Sequence, residues 1–134
     1  MIVVDTSVVV AAFASWHESH EPASRVVAAH PALPASCALE AYAVLTRLPP
    51  PHRAPARLVR DFLAQSFSDS PLVLPSVRSA QVVDELVERD ITGGAAYDGV
   101  IALVAEHHGG TLTTLDRRAR ATYERVGVAT RFLV

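Results

Sequence analysis

Short runs rich in β-branched residues alternate along the chain with longer segments of helical periodicity, and this alternation constrains the fold more than any other feature. The first run, Ile2 to Val4, stops at Asp5-Thr6-Ser7, where Ser7 is predicted to cap a helix over Val8–Phe13. The other predicted strands are SPLVLPS (70–76), GTLTTLD (110–116) and VATRFLV (128–134). Strands joined by helices pair in parallel and are covered on both faces. The sequence therefore predicts a three-layer α/β/α fold with a central, mainly parallel sheet.

Helical periodicity fills the intervals between these runs. The predicted helices are His17–Ala29, Ser36–Leu48, Ala56–Phe67, Val77–Arg89, Ala95–His108 and Arg117–Arg125. The proline-rich segment LPPPHRAP (48–55) ends one of these helices, and Gly127 ends the last. In a parallel sheet ligands gather beyond the carboxyl ends of the strands. Asp5 and Asp116 both follow such ends, so that edge of the sheet is the expected place for a functional site.

Length and composition predict one soluble domain over residues 1–134, half of whose residues are hydrophobic. No apolar run approaches the roughly 20 residues that a membrane span needs. Ala12-Phe13-Ala14 is similar to a signal-peptidase site, but no basic segment precedes it and Asp5 interrupts the apolar run. The single cysteine, Cys37, has no partner for an internal disulfide. We therefore expect a cytoplasmic protein with no membrane association.

Four acidic residues stand where hydrophobic residues are expected. Asp5 ends an apolar strand, Glu40 and Asp98 share helical faces with apolar residues, and Asp116 ends the LTTL run. Each one alone is explained by helix capping or by an ion pair with arginine. If all four converge, their mutual repulsion raises some of their pKa values and destabilises the fold unless a cation neutralises them.

An all-carboxylate site favours the hard cations Mg²⁺ or Mn²⁺ over Zn²⁺. Such ions activate water and stabilise a leaving oxygen, which is typical of phosphodiester hydrolysis. The histidines His17, His20, His107 and His108 match no zinc spacing. The pattern thus indicates a metal-dependent hydrolase of phosphodiesters.

Every cationic side chain in the chain is an arginine, and there is no lysine. The formal net charge is −2, but once four carboxylates are neutralised the remaining arginines outnumber the remaining acids. The protein can then bind a polyanionic substrate without net charge repulsion. Arg117, Arg118 and Arg120 lie beside Asp116, and Arg47 lies in a stretch without acids. They are candidates for binding the phosphates of such a substrate, although ion pairs or a solvated face explain them as well.

Three stretches carry a resemblance to a known family. These are VVDTSV (3–8), LPASCALEAYAVLTRL (33–48) and AYDGVIALVAEHHGGTLTTLDRRA (96–119). In order and spacing they resemble the PIN-domain ribonucleases, and within them the VapC-type toxins of type II toxin–antitoxin pairs. The resemblance covers nearly the whole chain and implies a PIN-like fold.

The resemblance also implies a function. It identifies Asp5, Glu40, Asp98 and Asp116 as the catalytic and metal-binding residues, holding Mg²⁺ or Mn²⁺, with Ser7 and Thr114 as supporting hydroxyls. It implies an endoribonuclease toxin that cleaves single-stranded or loop RNA, forms a homodimer and is inhibited by an antitoxin that inserts a segment into the acidic pocket. Some relatives carry a further acid after the T-x-D position, where this chain has arginines. Whether the site holds one metal ion or two therefore stays open.

Other classes fit less well. An aspartyl-phosphate phosphatase or a receiver domain needs a lysine near the phosphoryl group, and a P-loop enzyme needs GxxxxGK[ST]; neither is present. The alternative that stays open is a catalytically weak metal- and RNA-binding module whose main role is to bind its antitoxin.

Overall fold

The computed structural model describes residues 1–134 as a sheet of three strands surrounded by helices. The strands are β1 (Ile2–Val4), β2 (Thr111–Thr114) and β3 (Thr130–Phe132). The α-helices are α1 (Thr6–Phe13), α2 (His20–Ala28), α3 (Ala35–Arg47), α4 (Ala56–Ser66), α5 (Ser76–Ser79), α6 (Val82–Glu88), α7 (Ala95–His107) and α8 (Arg120–Val126). A short 3-10 helix, Arg117–Ala119, precedes α8.

The three strands are all parallel, in the order β1-β2-β3. Ile2 lies opposite Thr111 and Val4 opposite Thr113, while Thr114 lies opposite Phe132. This register brings Asp5, immediately after β1, beside the carboxyl end of β2, and the Asp5 amide donates to the Thr113 carbonyl at 3.3 Å. The prediction of a parallel α/β architecture is confirmed.

Both faces of the sheet are covered by helices. Successive side chains of a strand point to opposite faces, yet Val3 and Val4 in β1 are both fully buried, and Thr113 and Thr114 in β2 are at most 2% exposed. The main core joins these strand residues to α1, α7 and α8 through residues such as Tyr123. No helix of the structure has the length and apolarity needed to cross a bilayer.

The predicted buried strand over 70–76 is wrong. Only Leu72 pairs, in an isolated parallel bridge with Pro34, and Val73 is 58% exposed. Proline has no backbone N–H to donate, and Pro71, Pro75 and Pro34 leave too few donors for a continuous ladder in this part of the sheet.

Two further predictions need correction at the level of single helices. The predicted helix over Val77–Arg89 is two helices, α5 and α6, because the Gln81 amide bonds the Arg78 carbonyl in a tighter turn at 2.9 Å. The cap of α1 is Asp5 rather than Ser7, since the Asp5 carboxylate accepts the Ser7 amide at 3.1 Å.

Candidate active site

The four exceptional acids line one cavity of about 570 Å³ at the carboxyl edge of the sheet. Asp5 reaches it from the β1–α1 junction, Glu40 from the middle of α3, Asp98 from the first turn of α7 and Asp116 from just beyond β2. Chain segments that are far apart in sequence thus contribute one carboxylate each, because parallel strands and their crossover helices share this edge.

Asp5 is the buried member of the group. It is 2% exposed, and burial raises the pKa of its carboxyl group, an effect that hydrogen bonds from neighbouring hydroxyls oppose. Oδ1 accepts the Ser7 amide at 3.1 Å and also the Ser7 hydroxyl. Oδ2 accepts the Tyr123 hydroxyl at 2.8 Å. Each carboxylate oxygen has two lone pairs, so Oδ2 keeps one for a further donor or a cation.

The Ser7 hydroxyl joins the ends of β1 and β2. It donates to Asp5, accepts the Leu115 amide at 2.9 Å and lies 3.3 Å from the Thr114 hydroxyl. Since the single Ser7 hydroxyl proton goes to Asp5, Thr114 is the donor in their contact. The Thr114 oxygen in turn accepts the Asp116 amide at 2.9 Å. These two hydroxyls therefore hold the Asp5 carboxylate and the backbone at Leu115 and Asp116.

Tyr123 is a site residue that sequence reasoning missed. It is 1% exposed on α8, lines the cavity, and donates its hydroxyl to Asp5. Burial, followed by the charge of Asp5, raises the pKa of this phenol above its ordinary value, so it stays protonated and remains a donor. The only sequence signal is that a buried tyrosine hydroxyl needs a polar partner, which does not identify Asp5 as that partner.

Asp98 has a raised carboxyl pKa, to which the other acids of the cluster contribute. Its carboxyl pKa rises to about 6, first because the side chain is half-buried and then because Asp116, Asp5 and Glu40 are negatively charged. The Arg118 guanidinium opposes this rise. The upward shift agrees with the repulsion expected from converging acids.

Glu40 and Asp116 are more accessible to solvent than Asp5. Glu40 is exposed on α3 at the rim of the cavity, where Val44 lines the wall one helical turn further on. Asp116 caps the 3-10 helix by accepting the Arg118 amide at 3.0 Å, and the Arg118 guanidinium lies 3.3 Å from the same oxygen. The capping role considered for Asp116 is thus realised, and its carboxylate borders the cavity as well.

The predicted arginines fall into two groups. Arg117 and Arg118 line the cavity. Arg117 donates to the Val134 carbonyl and lies over the Phe132 ring, whereas the Arg118 side chain is 94% exposed. Arg120 pairs with Glu124 at 3.0 Å and Arg47 is exposed at the end of α3, and neither of these two lines the cavity.

The metal ligands available at the cavity are those that a hard divalent cation prefers. All four acids offer carboxylate oxygens, the donors preferred by Mg²⁺ and Mn²⁺. The raised pKa of Asp98 reflects first its partial burial and then negative charge that Arg118 does not balance. No three histidine, cysteine or acidic side chains stand gathered as a ready-made metal site, so the more accessible carboxylates would have to turn inward to share one ion.

Comparison with known proteins gives consistent results. Residues 2–125 match the family model described as PIN domain. The chain is 47% identical over 128 residues to ribonuclease VapC40 of Mycobacterium tuberculosis, covering 96% of each chain. It is 39% identical over 131 residues to ribonuclease VapC27 of the same species, covering 95% of this chain and 93% of the relative.

Two solved structures share the fold. A structure of FitAB bound to an IR36 DNA fragment superposes with a TM-score of 0.71 at 18% identity, covering 99% of this chain and 95% of that one. FitAcB from Neisseria gonorrhoeae gives a TM-score of 0.67 at 20% identity, covering 97% and 96%. At these identities the likeness concerns the fold alone.

Proposed function

The chain belongs to the PIN-domain family as a VapC-type ribonuclease, and from this we propose that it is the endoribonuclease toxin of a toxin–antitoxin pair, hydrolysing RNA phosphodiesters with Mg²⁺ or Mn²⁺ at its four carboxylates. One observation supports the site most directly. Asp5, Glu40, Asp98 and Asp116 line a single cavity, and the charges of the other three help to raise the pKa of Asp98.

A bound divalent cation supplies an activated water and neutralises charge on the phosphate. The residues of the chain prepare the place for it. Ser7 and Tyr123 hold the Asp5 carboxylate in one orientation, and Thr114 fixes the backbone at Asp116. Tyr123 also gives Asp5 Oδ2 a hydrogen-bond donor where little water reaches, since both residues are almost fully buried.

The arginines beside the cavity give the substrate a place to bind. The exposed Arg118 side chain is free to leave its 3.3 Å contact with Asp116, because exposed ion pairs of this kind are worth little. A guanidinium then offers a phosphate a bidentate hydrogen-bond fork. Arg117 contributes positive charge from a position held by Phe132 and Val134. Arg47 and Arg120 are proposed to act further out along the RNA.

The test is cleavage of mixed-sequence single-stranded RNA by the purified protein with Mg²⁺ or Mn²⁺ and with EDTA. We expect divalent-dependent cleavage that falls at least about a hundredfold in Asp5→Asn and in Asp98→Asn, because each loses a charge in the cluster. Asp69→Asn, an exposed acid outside the cavity, is the matched control and should cleave as the wild type does. Cleavage that is unchanged in both site variants would refute the assignment.

The alternative is a catalytically weak module that binds metal and RNA and mainly engages its antitoxin. The same assay separates the two functions. The weak module predicts that Mn²⁺ raises the melting temperature of the protein while RNA stays intact at every metal concentration.

Two partners follow from the proposal. We propose a small antitoxin as the cognate partner, and a homodimer as the assembled form of this chain. The uncompensated negative charge around Asp98 would accept an arginine side chain from such an antitoxin, in competition with the metal ion. Size-exclusion chromatography with light scattering, with and without the product of an adjacent small reading frame, measures both associations.

A further inference from the structure

Trp16 is the only tryptophan of the chain, and it lies on the surface beside the cavity. Its side chain is 49% exposed in the segment between α1 and α2. The next three residues, His17, Glu18 and Ser19, line the cavity that holds the four acids. Trp16 therefore borders the proposed catalytic site without taking part in the carboxylate cluster.

The indole is held in place by stacking. Its ring centroid lies 4.2 Å from that of His52 with an interplanar angle of 33°, and His17 lies at 6.1 Å. The segment that carries Trp16 is tied down as well, because the His17 amide donates to the Ala14 carbonyl at 3.0 Å and the Ser19 amide donates to His17 Nδ1 at 3.0 Å. An exposed aromatic ring is thus presented in a fixed orientation, which lowers the entropic cost of stacking a further ring on it.

Helix α3 connects this aromatic pair with the carboxylates. Glu40 and Val44 border the cavity along α3, and the helix ends at Arg47, shortly before the loop that carries His52. Arg47 lies seven positions after Glu40 in the helix, a rise of about 10 Å. A single strand whose phosphodiester lies at the carboxylates and which follows α3 reaches the exposed Arg47 and the Trp16–His52 pair within a short run of nucleotides.

We propose that Trp16, backed by His52, is a stacking platform for an unpaired nucleobase of the RNA. The proposal rests on the ribonuclease function above and deepens it, because a stacking platform selects single-stranded over double-stranded RNA. Bases in a duplex already stack on each other, whereas the bases of single strands and loops stack on exposed aromatic side chains.

The single tryptophan makes the experiment direct. The full chain is titrated in EDTA, where no metal-dependent cleavage occurs, with single-stranded RNA oligonucleotides of mixed sequence and with duplexes of the same sequences. Tryptophan emission reports contact with Trp16, and the anisotropy of a labelled oligonucleotide reports affinity. We expect single strands to quench the emission and duplexes to leave it unchanged. Trp16→Ala should weaken single-strand binding about tenfold, and Trp16→Phe should restore most of the loss.

Tyr42→Ala is the matched control, because Tyr42 is an exposed aromatic residue of α3 that does not line the cavity. Its affinity for RNA should equal that of the wild type. Emission that stays unchanged at saturating single-stranded RNA, or a Trp16→Ala variant that binds as the wild type does, would overturn the platform. A change in oligomeric state in Trp16→Ala with unaltered RNA affinity would also overturn it, since Trp16 would then be a protein contact.

The platform and the nuclease function fail in different ways. If the wild type cleaves RNA and Trp16→Ala cleaves it equally well at low substrate concentration, the platform is wrong while the nuclease function stands. If Trp16 emission is quenched but no divalent ion supports cleavage, the platform stands and the nuclease function is wrong.

Discussion

Asp5 and Asp98 are two carboxylates of one cavity in different electrostatic situations. Asp5 is almost completely buried, but three donors from Ser7 and Tyr123 contact its oxygens and stabilise its charged form. Asp98 is half-buried, and this burial, followed by the negative charges of the neighbouring acids, raises its carboxyl pKa to about 6. The donors suit Asp5 to hold one orientation. Burial raises the carboxyl pKa of both residues, so a bound cation would favour the charged form of each.

The raised pKa of Asp98 predicts a pH dependence of stability for the metal-free protein. The folded protein keeps a proton on Asp98 up to about pH 6, whereas the unfolded chain releases it near the ordinary value of 3.8. The folded state thus binds more protons in this window, so its stability falls as pH rises from about 4 to about 6. Asp98→Asn should flatten the fall and melt at a higher temperature at pH 7.

Melting temperatures measured in EDTA from pH 4 to pH 7 check this prediction, with Asp69→Asn as the control for loss of an exposed acid. The control should follow the wild-type curve. Equal pH slopes for the wild type and Asp98→Asn would show that the carboxyl pKa of Asp98 is not raised on folding.

Tyr123→Phe tests the buried hydrogen bond to Asp5. The substitution keeps the ring but leaves Asp5 Oδ2 without its 2.8 Å donor, so the free energy of unfolding should fall by about 1–3 kcal/mol. Urea denaturation measures the loss, and Tyr42→Phe, at an exposed tyrosine, should change stability by much less. A Tyr123→Phe variant as stable as the wild type would mean that water or another group replaces the phenol.

At the scale of single residues, the sequence singled out the four acids that line the cavity, but not the way in which Asp5 is held. Asp5 was conspicuous because a charge interrupted an apolar run. Tyr123 was not, because a tyrosine in a helix fits an ordinary core position. A hydrogen bond between residues 118 positions apart depends on how α8 packs against α7 and brings Tyr123 to Asp5, which no local pattern contains.

Among the secondary-structure elements, α8 ends at a glycine that the backbone requires. Gly127 has φ of 84°, in the left-handed region, and its amide donates to the Tyr123 carbonyl at 3.0 Å. A Cβ added there would meet no atom within 4 Å, so the cost of a substitution is conformational only. Gly127→Ala should lower the free energy of unfolding by about 1 kcal/mol.

The matched control is Gly94→Ala. Gly94 also has open space around its Cα, but its φ of −61° is in the ordinary helical region. Alanine should there be neutral or slightly stabilising, because it restricts the unfolded chain. Urea denaturation of the two variants separates backbone conformation from packing, and equal effects on stability would contradict the explanation given for Gly127.

The elements that were predicted well are those whose patterns are local. Gly127 and the proline segment over 48–55 end their helices as expected, and the apolar helix α7 was predicted within one residue. The strand prediction that failed depends on pairing between strands. SPLVLPS has strand composition, but Pro71 and Pro75 remove the donors that a ladder needs, and its exposed Val73 has no covering element.

In the whole molecule, the parallel sheet is what brings the four exceptional acids to one cavity. Its register places Asp5 beside the end of β2, and the crossover helices bring Asp98 and Glu40 to the same edge. The sequence predicted this convergence because parallel strands share a carboxyl edge. It could not predict the distances between the carboxylates, which depend on how far α3 and α7 pack from the sheet and leave Glu40 at the rim.

Calorimetric titration of the metal-free protein with Mn²⁺, alongside one variant for each acid, tests the central claim that the four carboxylates hold one metal centre. We predict that Asp5→Asn, Glu40→Gln, Asp98→Asn and Asp116→Asn each weaken Mn²⁺ binding at least about tenfold, while Asp69→Asn binds as the wild type does. Wild-type affinity in two or more of the four variants, or an equal loss in Asp69→Asn, would contradict a shared carboxylate site.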